Sequence, residues 1–548
     1  MNTSERRYDF DWLRVLVTGL VVCFHAALIF SSSWYYVKND PLHGHERTLR
    51  AAYSTRQTPI ASLASVRALV RAEGLSKDVG AALEQLTTSP DRIVTLKAEL
   101  GNGGVGLNYS DSLFDALRGL GTLVAEKGER LRVLTPRGDL ARAIQARTRI
   151  PAQPLDVYLT GAGRLNKGEV LFVDWASLTD GRQIEQLARA EDGGRLFLVG
   201  IPRPEMVATG FVLFLDQWFM MLFFVISGAS AWYALGSRTA SQYAVERFKR
   251  LFVPFLFGCL VVVPPLSYYG LLEWPGTEAT YWQFYPTFLS GVLAGRPEWG
   301  HLWFIIYLFV YSLLALPLFV YLRGEAAQRL RTRLGTWFER PGLIFLPALP
   351  LALIEGMLRP GWPNGHQNLV SDWANFWLYL LYFVYGYCIA SEPKLGHAID
   401  RHFKLAVGLA AIGTVALFGI WLSGNTPDYY YWYGRIGYDS LRGFNSWCLV
   451  MVVLSLGRRY LNFNHRVLQY AGEAAYPVYI LHQTFVVAIG FYVVRWSTGA
   501  TQKYLAIVVG CLVATVVVYD LLIKRNNLTR FLFGLKPVKT IARLVRQN

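Results

Sequence analysis

The first apolar run of the chain carries side chains of the kinds that bind anions and move protons. Arg14 and His25 are eleven residues apart, about three helical turns, so they share one face of a helix. His25 then lies roughly 16 Å deeper than Arg14, and Asp11, one turn earlier, can pair with Arg14. An ionisable side chain in hydrocarbon costs several kcal/mol, so we interpret His25 as facing a functional cavity. A snorkelling Arg14 and a satisfied, buried His25 are the structural alternatives.

A second candidate site stands at the start of the third apolar run. Arg247 and Arg250 are one helical turn apart within the sequence Glu246-Arg247-Phe248-Lys249-Arg250. Two guanidinium groups at this spacing could hold a polyanion, such as the phosphates of a nucleotide-bearing donor. Ordinary positive charge at the inner end of a membrane span explains part of the same pattern.

Further polar side chains occupy the other apolar runs. Ser227 and the glycine after it could let a backbone or a thin substrate approach closely, although helix packing explains them equally well. His301 and Trp303 open the fourth run, where interfacial anchors are expected. Glu473 begins the ninth run, and His482, nine residues later, falls near the middle of the bilayer.

The elements that must position these residues are membrane spans. Apolar residues make up 53% of the 548 residues and charged residues 17%, against roughly 45–50% and about 25% in soluble domains. About ten apolar runs have the length that a helix needs to cross the bilayer. They are 12–31, 211–235, 251–270, 301–322, 341–357, 373–390, 403–422, 442–457, 474–494 and 502–523. The first run contains charges and no small-residue cleavage site, so we interpret it as a retained span.

The charge pattern predicts the orientation of the spans. Lys and Arg concentrate in alternate connecting segments, at 6–7, 238–250, 323–340, 394–404, 458–466 and in the tail 524–548. Both termini are therefore expected in the cytoplasm, and the net charge of +16 is mainly a topology signal rather than a nucleic-acid-binding face. The five cysteines lie within or beside apolar runs, which indicates neither a disulfide framework nor a metal site.

Residues 40–205 interrupt this pattern and are long enough for a separate domain. Strand-like segments at 92–100, 131–135, 155–160, 170–174 and 195–201 alternate with helical stretches at 112–126 and 182–190. This alternation predicts a small α/β domain, on the outer face by the orientation above. Gly101, Gly103 and Gly106 match a GxGxxG pattern, but we interpret them as a glycine-rich turn, because no ribose-binding acid is evident.

Five short motifs together resemble those of a known family. They are Tyr8-Asp9-Phe10-Asp11-Trp12-Leu13-Arg14 followed by His25, Phe224-Val225-Ile226-Ser227-Gly228, Arg247 to Arg250 leading to Val253-Pro254, His301-Leu302-Trp303-Phe304, and Tyr479-Ile480-Leu481-His482. In this order and on separate spans, they resemble the acyltransferase-3 family of integral membrane acyltransferases. The resemblance covers residues 1–39 and 206–523, and segments 214–218 and 227–232 are similar to a branch that modifies periplasmic glucans.

The resemblance implies transfer of an acyl group, acetyl or succinyl, from cytoplasmic acyl-CoA to a hydroxyl of an envelope or periplasmic glycan. Arg247 and Arg250, with Arg14, would bind the CoA phosphates. His25 would act as general base, with Asp11 and Arg14 as orienters or charge partners. The acceptor would be lined or positioned by Ser227, His301, Trp303, Glu473 and His482. Acyl-CoA is then a co-substrate, no cofactor is permanently bound, and an acyl-histidine relay stays open beside direct transfer.

The sequence thus predicts an all-α polytopic membrane protein of about ten transmembrane helices with an inserted α/β extracytoplasmic domain between helices 1 and 2. The predicted parts are 1–39 with the first helix, the periplasmic insert 40–205, the bundle 206–523 and the basic cytoplasmic tail 524–548, in a bacterial inner membrane. The long insert departs from the family pattern and leaves the acceptor open. A proton-coupled transporter of a small molecule or glycan is the main alternative, and a scaffold for an envelope enzyme is another.

Overall fold

The chain folds into two compact units in a computed structural model. One unit comprises Met1–Ile29, Gly210–Phe491 and Tyr504–Asn548, and the other comprises Phe30–Thr209 and Tyr492–Lys503. The described residues are 7–31, 36–39, 57–90, 93–96, 111–136, 138–160, 168–174, 183, 186–187, 194–199, 206–272, 279–295, 298–362, 367–427, 433–496 and 498–538. The GxGxxG pattern at 101–106 lies outside them, as does most of the predicted helix 182–190.

The first unit is a polytopic bundle of apolar helices, as expected of an integral membrane protein. In the described part of the chain, seven helices are long and apolar enough to cross a membrane. They are Tyr8–Leu28, Met206–Leu235, Ala240–Leu272, Phe403–Leu422, Tyr433–Tyr460, Arg466–Val493 and Ala500–Ile523. Two bent pairs, Gly300–Leu314 with Leu316–Arg323 and Glu325–Phe338 with Leu343–Leu358, raise the number to nine if each is one span.

The two bent pairs and the helix Trp373–Ser391 account for the difference between the seven candidate spans and the expected ten. The segment 341–357 forms an eleven-residue helix, Ala348–Leu358, which follows a bend of 111°. Eleven residues extend only about 16 Å, roughly half of the hydrocarbon thickness. The segment 373–390 is helical as Trp373–Ser391, but it is rich in Trp and Tyr and is not among the seven. Ten spans therefore stays a prediction.

Proline residues shape the helix that carries the arginine pair. The segment 240–272 contains α-helical pieces Ala240–Arg247, Val253–Phe257 and Val263–Leu272, separated by π-helical turns at Phe248–Phe252 and Gly258–Val262. Pro254 has no N–H, and the carbonyl of Arg250 instead accepts a hydrogen bond from the Tyr476 hydroxyl at 2.9 Å. The hydrogen bond from Tyr476 links the backbone of the arginine pair to helix Arg466–Val493.

Two glycines allow two helices of this unit to cross at a short backbone distance. A Cβ added to Gly228 would lie 1.9 Å from the carbonyl oxygen of Phe383, and one added to Gly386 would lie 1.9 Å from that of Val225. Helices Phe219–Leu235 and Trp373–Ser391 therefore pack backbone to backbone here. Helix packing explains Gly228, while its neighbour Ser227 lines a cavity.

Shorter helices complete the first unit. They are Tyr281–Leu293, the 3₁₀ turn Gly300–Leu302, Trp303–Leu314, the 3₁₀ turn Leu343–Phe345, Pro393–Arg401, the π turn Tyr519–Ile523 and Asn527–Leu532.

The second unit is an α/β fold with a parallel five-stranded sheet. The strands are β1 Ile93–Leu96, β2 Arg130–Thr135, β3 Ala152–Pro154, β4 Glu169–Asp174 and β5 Arg195–Val199, in the order β1-β5-β4-β2-β3. Helices Leu63–Ala72, Lys77–Thr87, Asp111–Glu126, Gly138–Thr148 and Leu155–Thr160 accompany them. Strands β4 and β5 are buried along their whole length, as parallel strands covered on both faces should be.

One strand prediction in this unit was wrong. The segment 155–160 is a helical turn, preceded by the short strand β3. Leu155 and Tyr158 are its buried residues, and their spacing of three is helical rather than alternating. Asp156 in the first turn also complements the helix dipole.

Candidate active site

Three histidines from distant parts of the sequence form one cluster in the bundle. His482 Nε2 lies 3.0 Å from His25 Nδ1, and the two ring centroids are 4.8 Å apart. The His301 ring lies 4.9 Å from that of His482 and 6.5 Å from that of His25. His301 and His482 are both buried. We define these three residues as the histidine cluster.

Backbone carbonyls assign the protons of this cluster, because a carbonyl oxygen can only accept. His482 Nδ1 lies 2.6 Å from the Tyr479 carbonyl oxygen, so Nδ1 carries the proton and Nε2 is an acceptor in the neutral ring. His25 Nδ1 lies 2.9 Å from the Val21 carbonyl oxygen, so it is also protonated and can donate to both Val21 and His482. The neutral His25 ring therefore has its lone pair on Nε2, the form that a general base requires.

His301 is held in the opposite tautomer. Its Nε2 lies 2.8 Å from the Ile480 carbonyl oxygen and must carry the proton. Its buried Nδ1 meets no hydrogen-bond partner among the described residues. The Tyr479 hydroxyl donates to the His301 carbonyl oxygen and fixes the 3₁₀ turn Gly300–Leu302 against helix Arg466–Val493. His301 is thus part of the cluster instead of an exposed interfacial anchor.

A cavity of about 500 Å³ lies in the same unit and is strongly basic. It is lined by six cationic side chains and two carboxylates. They are Arg14, Arg238, Arg247, Arg250, Arg530 and Lys536, with Glu246 and Glu473. Thr18, Ser227, Ser230, Phe223, Phe304, Tyr476 and Tyr479 line its remaining walls among others. An excess of guanidinium groups in a partly enclosed site favours a polyanionic ligand.

The two arginines of the predicted pair differ in how they are held. Arg250 pairs with Glu246 at 3.3 Å and donates from Nε to the Gly534 carbonyl oxygen at 3.0 Å. The Arg247 guanidinium lies over the Tyr243 ring, 4.6 Å from its centroid, and its buried Nε has no hydrogen-bond partner within the described ranges. Arg250 is therefore built into the fold, and Arg247 is the better placed of the two to exchange partners with a ligand.

The first helix connects the cavity with the histidine cluster. Arg14 Nη2 donates to Asp11 Oδ1 and to the Gly472 carbonyl oxygen, each at 3.3 Å, so the expected Asp11–Arg14 pair is present. Thr18 lines the cavity one turn deeper. His25 follows Thr18 by two turns, about 10 Å along the helix, and is not among the residues that line the cavity.

Tyr479 contacts both the basic cavity and the histidine cluster. Tyr479 is one of the residues that line the cavity, and its ring centroid lies 5.6 Å from that of His482. The ring of Tyr479 therefore joins the lining of the basic cavity to the histidine cluster.

Comparison with known proteins identifies the family of this chain. Residues 196–524 match the family described as "Acyltransferase domain", the acyltransferase-3 family. The chain belongs to this family. The match covers more than half of the chain and includes the arginine pair, His301 and His482.

Two curated relatives of this acyltransferase have the same name. Glucans biosynthesis protein C of Escherichia coli (strain SMS-3-5 / SECEC) is 25% identical over 351 residues, which cover 62% of this chain and 87% of that protein. Glucans biosynthesis protein C of Shigella boydii serotype 4 (strain Sb227) is 24% identical over the same coverage. No solved structure matches the chain at a significant level.

The basic cavity of this acyltransferase also contains residues that sequence reasoning missed. Arg530 Nε donates to the Lys536 carbonyl oxygen at 2.6 Å, and its guanidinium pairs with Glu473. The segment 530–536, which the charge pattern assigned to a tail, therefore closes one side of the basic cavity. A second recess of about 460 Å³ shares Glu246, Arg250 and this segment with the cavity. The glycine at 534, which has a left-handed φ of 68°, was the available signal for a turn there.

Trp303 and Glu473 lie apart from the histidine cluster. Trp303 stacks on Tyr379 with centroids 5.5 Å apart. Glu473 and Ser227 both line the basic cavity. Among the described residues, no group of three His, Cys, Asp or Glu side chains is arranged to hold a metal ion.

Proposed function

We propose that this membrane acyltransferase moves an acetyl or succinyl group from cytoplasmic acyl-CoA to a hydroxyl of an envelope or periplasmic glycan. The observation that carries the proposal is that the first helix contributes both Arg14 and Thr18 to the basic cavity and His25 to the His25–His482 pair. The relatives' name, glucans biosynthesis protein C, supports a glucan-type acceptor.

The donor would enter by its phosphate end. In this proposal Arg247, Arg14 and Arg530 hold the CoA phosphates in the cavity and its neighbouring recess, since guanidinium groups bind phosphate oxygens in a bidentate manner. The pantetheine arm then follows Thr18 toward Tyr479, between walls that include Phe223.

The chemical step uses the tautomer that the carbonyls impose. His25 Nε2 takes the proton of the acceptor hydroxyl while the hydroxyl oxygen bonds to the thioester carbonyl carbon. The C–S bond then breaks, and the proton on His25 passes to the CoA sulfur. His482 Nε2 accepts from His25 Nδ1 throughout and stabilises the transient imidazolium. An acyl group on His25 Nε2 as an intermediate is the alternative course.

The positive-inside pattern supports an orientation for this reaction. Both termini and the basic cavity face the cytoplasm, and the α/β unit faces the periplasm, in a bacterial inner membrane. The acyl group thereby crosses most of the bilayer while attached to CoA, and the acceptor never leaves the outer side.

The decisive experiment measures CoA release by the purified full-length protein. The protein is incubated with acetyl-CoA or succinyl-CoA, with and without neutral glucan oligosaccharides, beside H25A and the matched control H397A. His397 is an exposed histidine on helix Pro393–Arg401, away from the cavity lining. We expect acceptor-dependent release that H25A loses by at least 100-fold and H397A retains.

The outcomes separate the alternatives. No CoA release from either donor, with substrate uptake into proteoliposomes, would replace this proposal by a transporter. Retention of radioactive acyl label by the protein in the absence of acceptor would select the acyl-histidine course over direct transfer.

A further inference from the structure

A second polar centre is buried in the bundle, apart from the histidines and the basic cavity. Its core is the pair Glu355–Arg359, joined to Asn375 and Asp372, and all four residues are at most 2% exposed. Arg359 donates to both oxygens of Glu355, at 3.1 Å and 2.5 Å, and to Asn375 Oδ1 at 2.7 Å. Asn375 Nδ2 in turn donates to Asp372 Oδ2 at 3.1 Å.

A second buried pair lies within electrostatic range of the first. Arg435 pairs with Asp439 at 2.6 Å, and Arg442 lies 3.7 Å from the same carboxylate. Arg435 and Arg442 both act on the Glu355 carboxylate. Buried ions of this number are expensive in a membrane bundle and indicate a functional centre by default.

The centre has one open hydrogen-bonding position. Asp372 Oδ2 accepts from Asn375 and from the Tyr307 hydroxyl at 3.0 Å. The other oxygen, Asp372 Oδ1, is buried and accepts no hydrogen bond from the described residues. A buried carboxylate oxygen without a donor costs free energy, which a ligand hydroxyl or a cation would recover.

Aromatic faces adjoin this open position. Trp303 stacks on Tyr379 at 5.5 Å with an interplanar angle of 26°, and it lies nearly perpendicular to Tyr307 with the ring centroids 5.5 Å apart. The Tyr379 hydroxyl lies in the field of Asp372, Glu355 and Arg359. Flat aromatic faces next to carboxylate and amide oxygens suit a ring that is apolar on its faces and has hydroxyls on its rim.

The charges of the centre argue against an anionic ligand. Asp216 also lies in the field of Arg359 and Arg442. The centre therefore contains four carboxyl groups and three guanidinium groups, namely Asp216, Glu355, Asp372 and Asp439 with Arg359, Arg435 and Arg442. Arg359 directly follows helix Ala348–Leu358, and Asp372 directly precedes helix Trp373–Ser391. The residues 435–442 lie near the start of helix Tyr433–Tyr460. In the proposed orientation all of these ends face outward, opposite to the basic cavity.

A path of rings leads from this centre to the histidine cluster. Tyr379 stacks on Phe224 at 4.8 Å, Phe224 meets Phe304 at 4.8 Å, and Phe304 meets Tyr479 at 5.6 Å. Tyr479 contacts His301 and His482.

We infer that this centre binds the acceptor as a neutral sugar residue, with a sugar hydroxyl donating to Asp372 Oδ1 and Trp303 lying beside the ring. The inference rests on the proposed function and names the acceptor's binding site within it. Asp372 and Trp303 then determine the affinity for the sugar, while the basic cavity determines the affinity for acyl-CoA.

The sharpest variant is D372N. An asparagine can keep its oxygen toward Tyr307 and Asn375 and place its NH₂ group at the open position, so the fold's hydrogen bonds survive. A sugar hydroxyl then loses the carboxylate acceptor and with it a charge-assisted hydrogen bond. Y382F is the matched control, because Tyr382 lies on the same helix and shares a buried hydrogen bond of 2.8 Å with Ser446. W303L tests the aromatic face separately.

The experiment measures binding of neutral gluco-oligosaccharides to the purified full-length protein without acyl-CoA, and then the KM for both substrates. We expect D372N and W303L to weaken oligosaccharide binding at least tenfold and to change the KM for acyl-CoA less than twofold, with Y382F unchanged in both. Melting curves and acyl-CoA binding verify that each variant is folded.

Two results would overturn the inference: unchanged oligosaccharide affinity in folded D372N and W303L, or saturable binding of Ca²⁺ or Na⁺ to the wild type that D372N abolishes while sugar binding persists. Oligosaccharide binding that both variants lose, in a protein without acyl transfer, would leave the inference standing and refute the proposed function instead.

Discussion

Replacing His482 by phenylalanine tests whether His482 assists His25 or is a second base. The substitution keeps a ring of similar size at a buried position and removes the acceptor that lies 3.0 Å from His25 Nδ1. His25 keeps its other anchor, the Val21 carbonyl oxygen at 2.9 Å, so its Nδ1 stays protonated and its Nε2 stays basic. We therefore expect a partial loss of activity.

The size of the loss follows from the hydrogen bond that disappears. When His25 takes the acceptor's proton, its bond to His482 becomes charge-assisted, and such bonds contribute about 1.5–3 kcal/mol. Since about 1.36 kcal/mol corresponds to a tenfold change in rate, H482F should lower kcat by about 13- to 160-fold. Loss of the general base in H25A should cost about 100- to 10,000-fold.

The assay is CoA release at saturating acyl-CoA and acceptor, with kcat and both KM values determined. His482 does not line the basic cavity, so the KM for acyl-CoA should stay within twofold. T484V is the matched control, because Thr484 lies on the same helix and donates to the Val262 carbonyl oxygen at 2.7 Å without touching the histidines.

Two results would refute this reasoning. If H482F lost as much activity as H25A while T484V stayed active, His482 would share the base's role rather than support it. A change of less than threefold in folded H482F would mean that the His25–His482 contact has no part in the rate-limiting step.

Three further predictions concern the donor site, the helix crossing and the orientation. R247Q should raise the KM for acyl-CoA about tenfold through loss of one charge-assisted contact, whereas R459Q, at another helix end, should not. G228A should destabilise the protein by about 1–3 kcal/mol in thermal unfolding, because its methyl group would overlap the Phe383 carbonyl, whereas G408A meets open space. E126C, exposed in the α/β unit, should react with a membrane-impermeant maleimide in intact spheroplasts.

Each of these has a clear contrary result. Equal KM values for R247Q and the wild type would remove Arg247 from donor binding. A melting temperature for G228A as high as that for G408A would contradict the backbone contact. Labelling of E126C only after the membrane is permeabilised would reverse the proposed orientation.

The periodicity of single helices made part of the site predictable. Arg14 and His25 lie on one helix, and a spacing of eleven residues fixes their common face whatever the rest of the fold does. The same holds for Arg247 and Arg250. Long apolar runs likewise predicted a helical membrane bundle, because only a closed set of backbone hydrogen bonds is stable in hydrocarbon.

Contacts between distant segments were beyond such reasoning. The spacing of the apolar runs cannot show that His301 turns inward to meet His482, because that depends on the 3₁₀ turn and on its hydrogen bond from Tyr479. For the same reason the sequence did not predict the contacts of Arg530 and Asp372, whose neighbours come from other helices.

The sequence by itself determined which side chains could do chemistry and on which helix face each lies, since that information is local and repeats every 3.6 residues. The tertiary structure decided which of them meet. It joined His25 to His482, placed Trp303 against Tyr379, and brought the segment 530–536 back over the arginine pair. Packing of whole helices sets these distances, and no single segment encodes them.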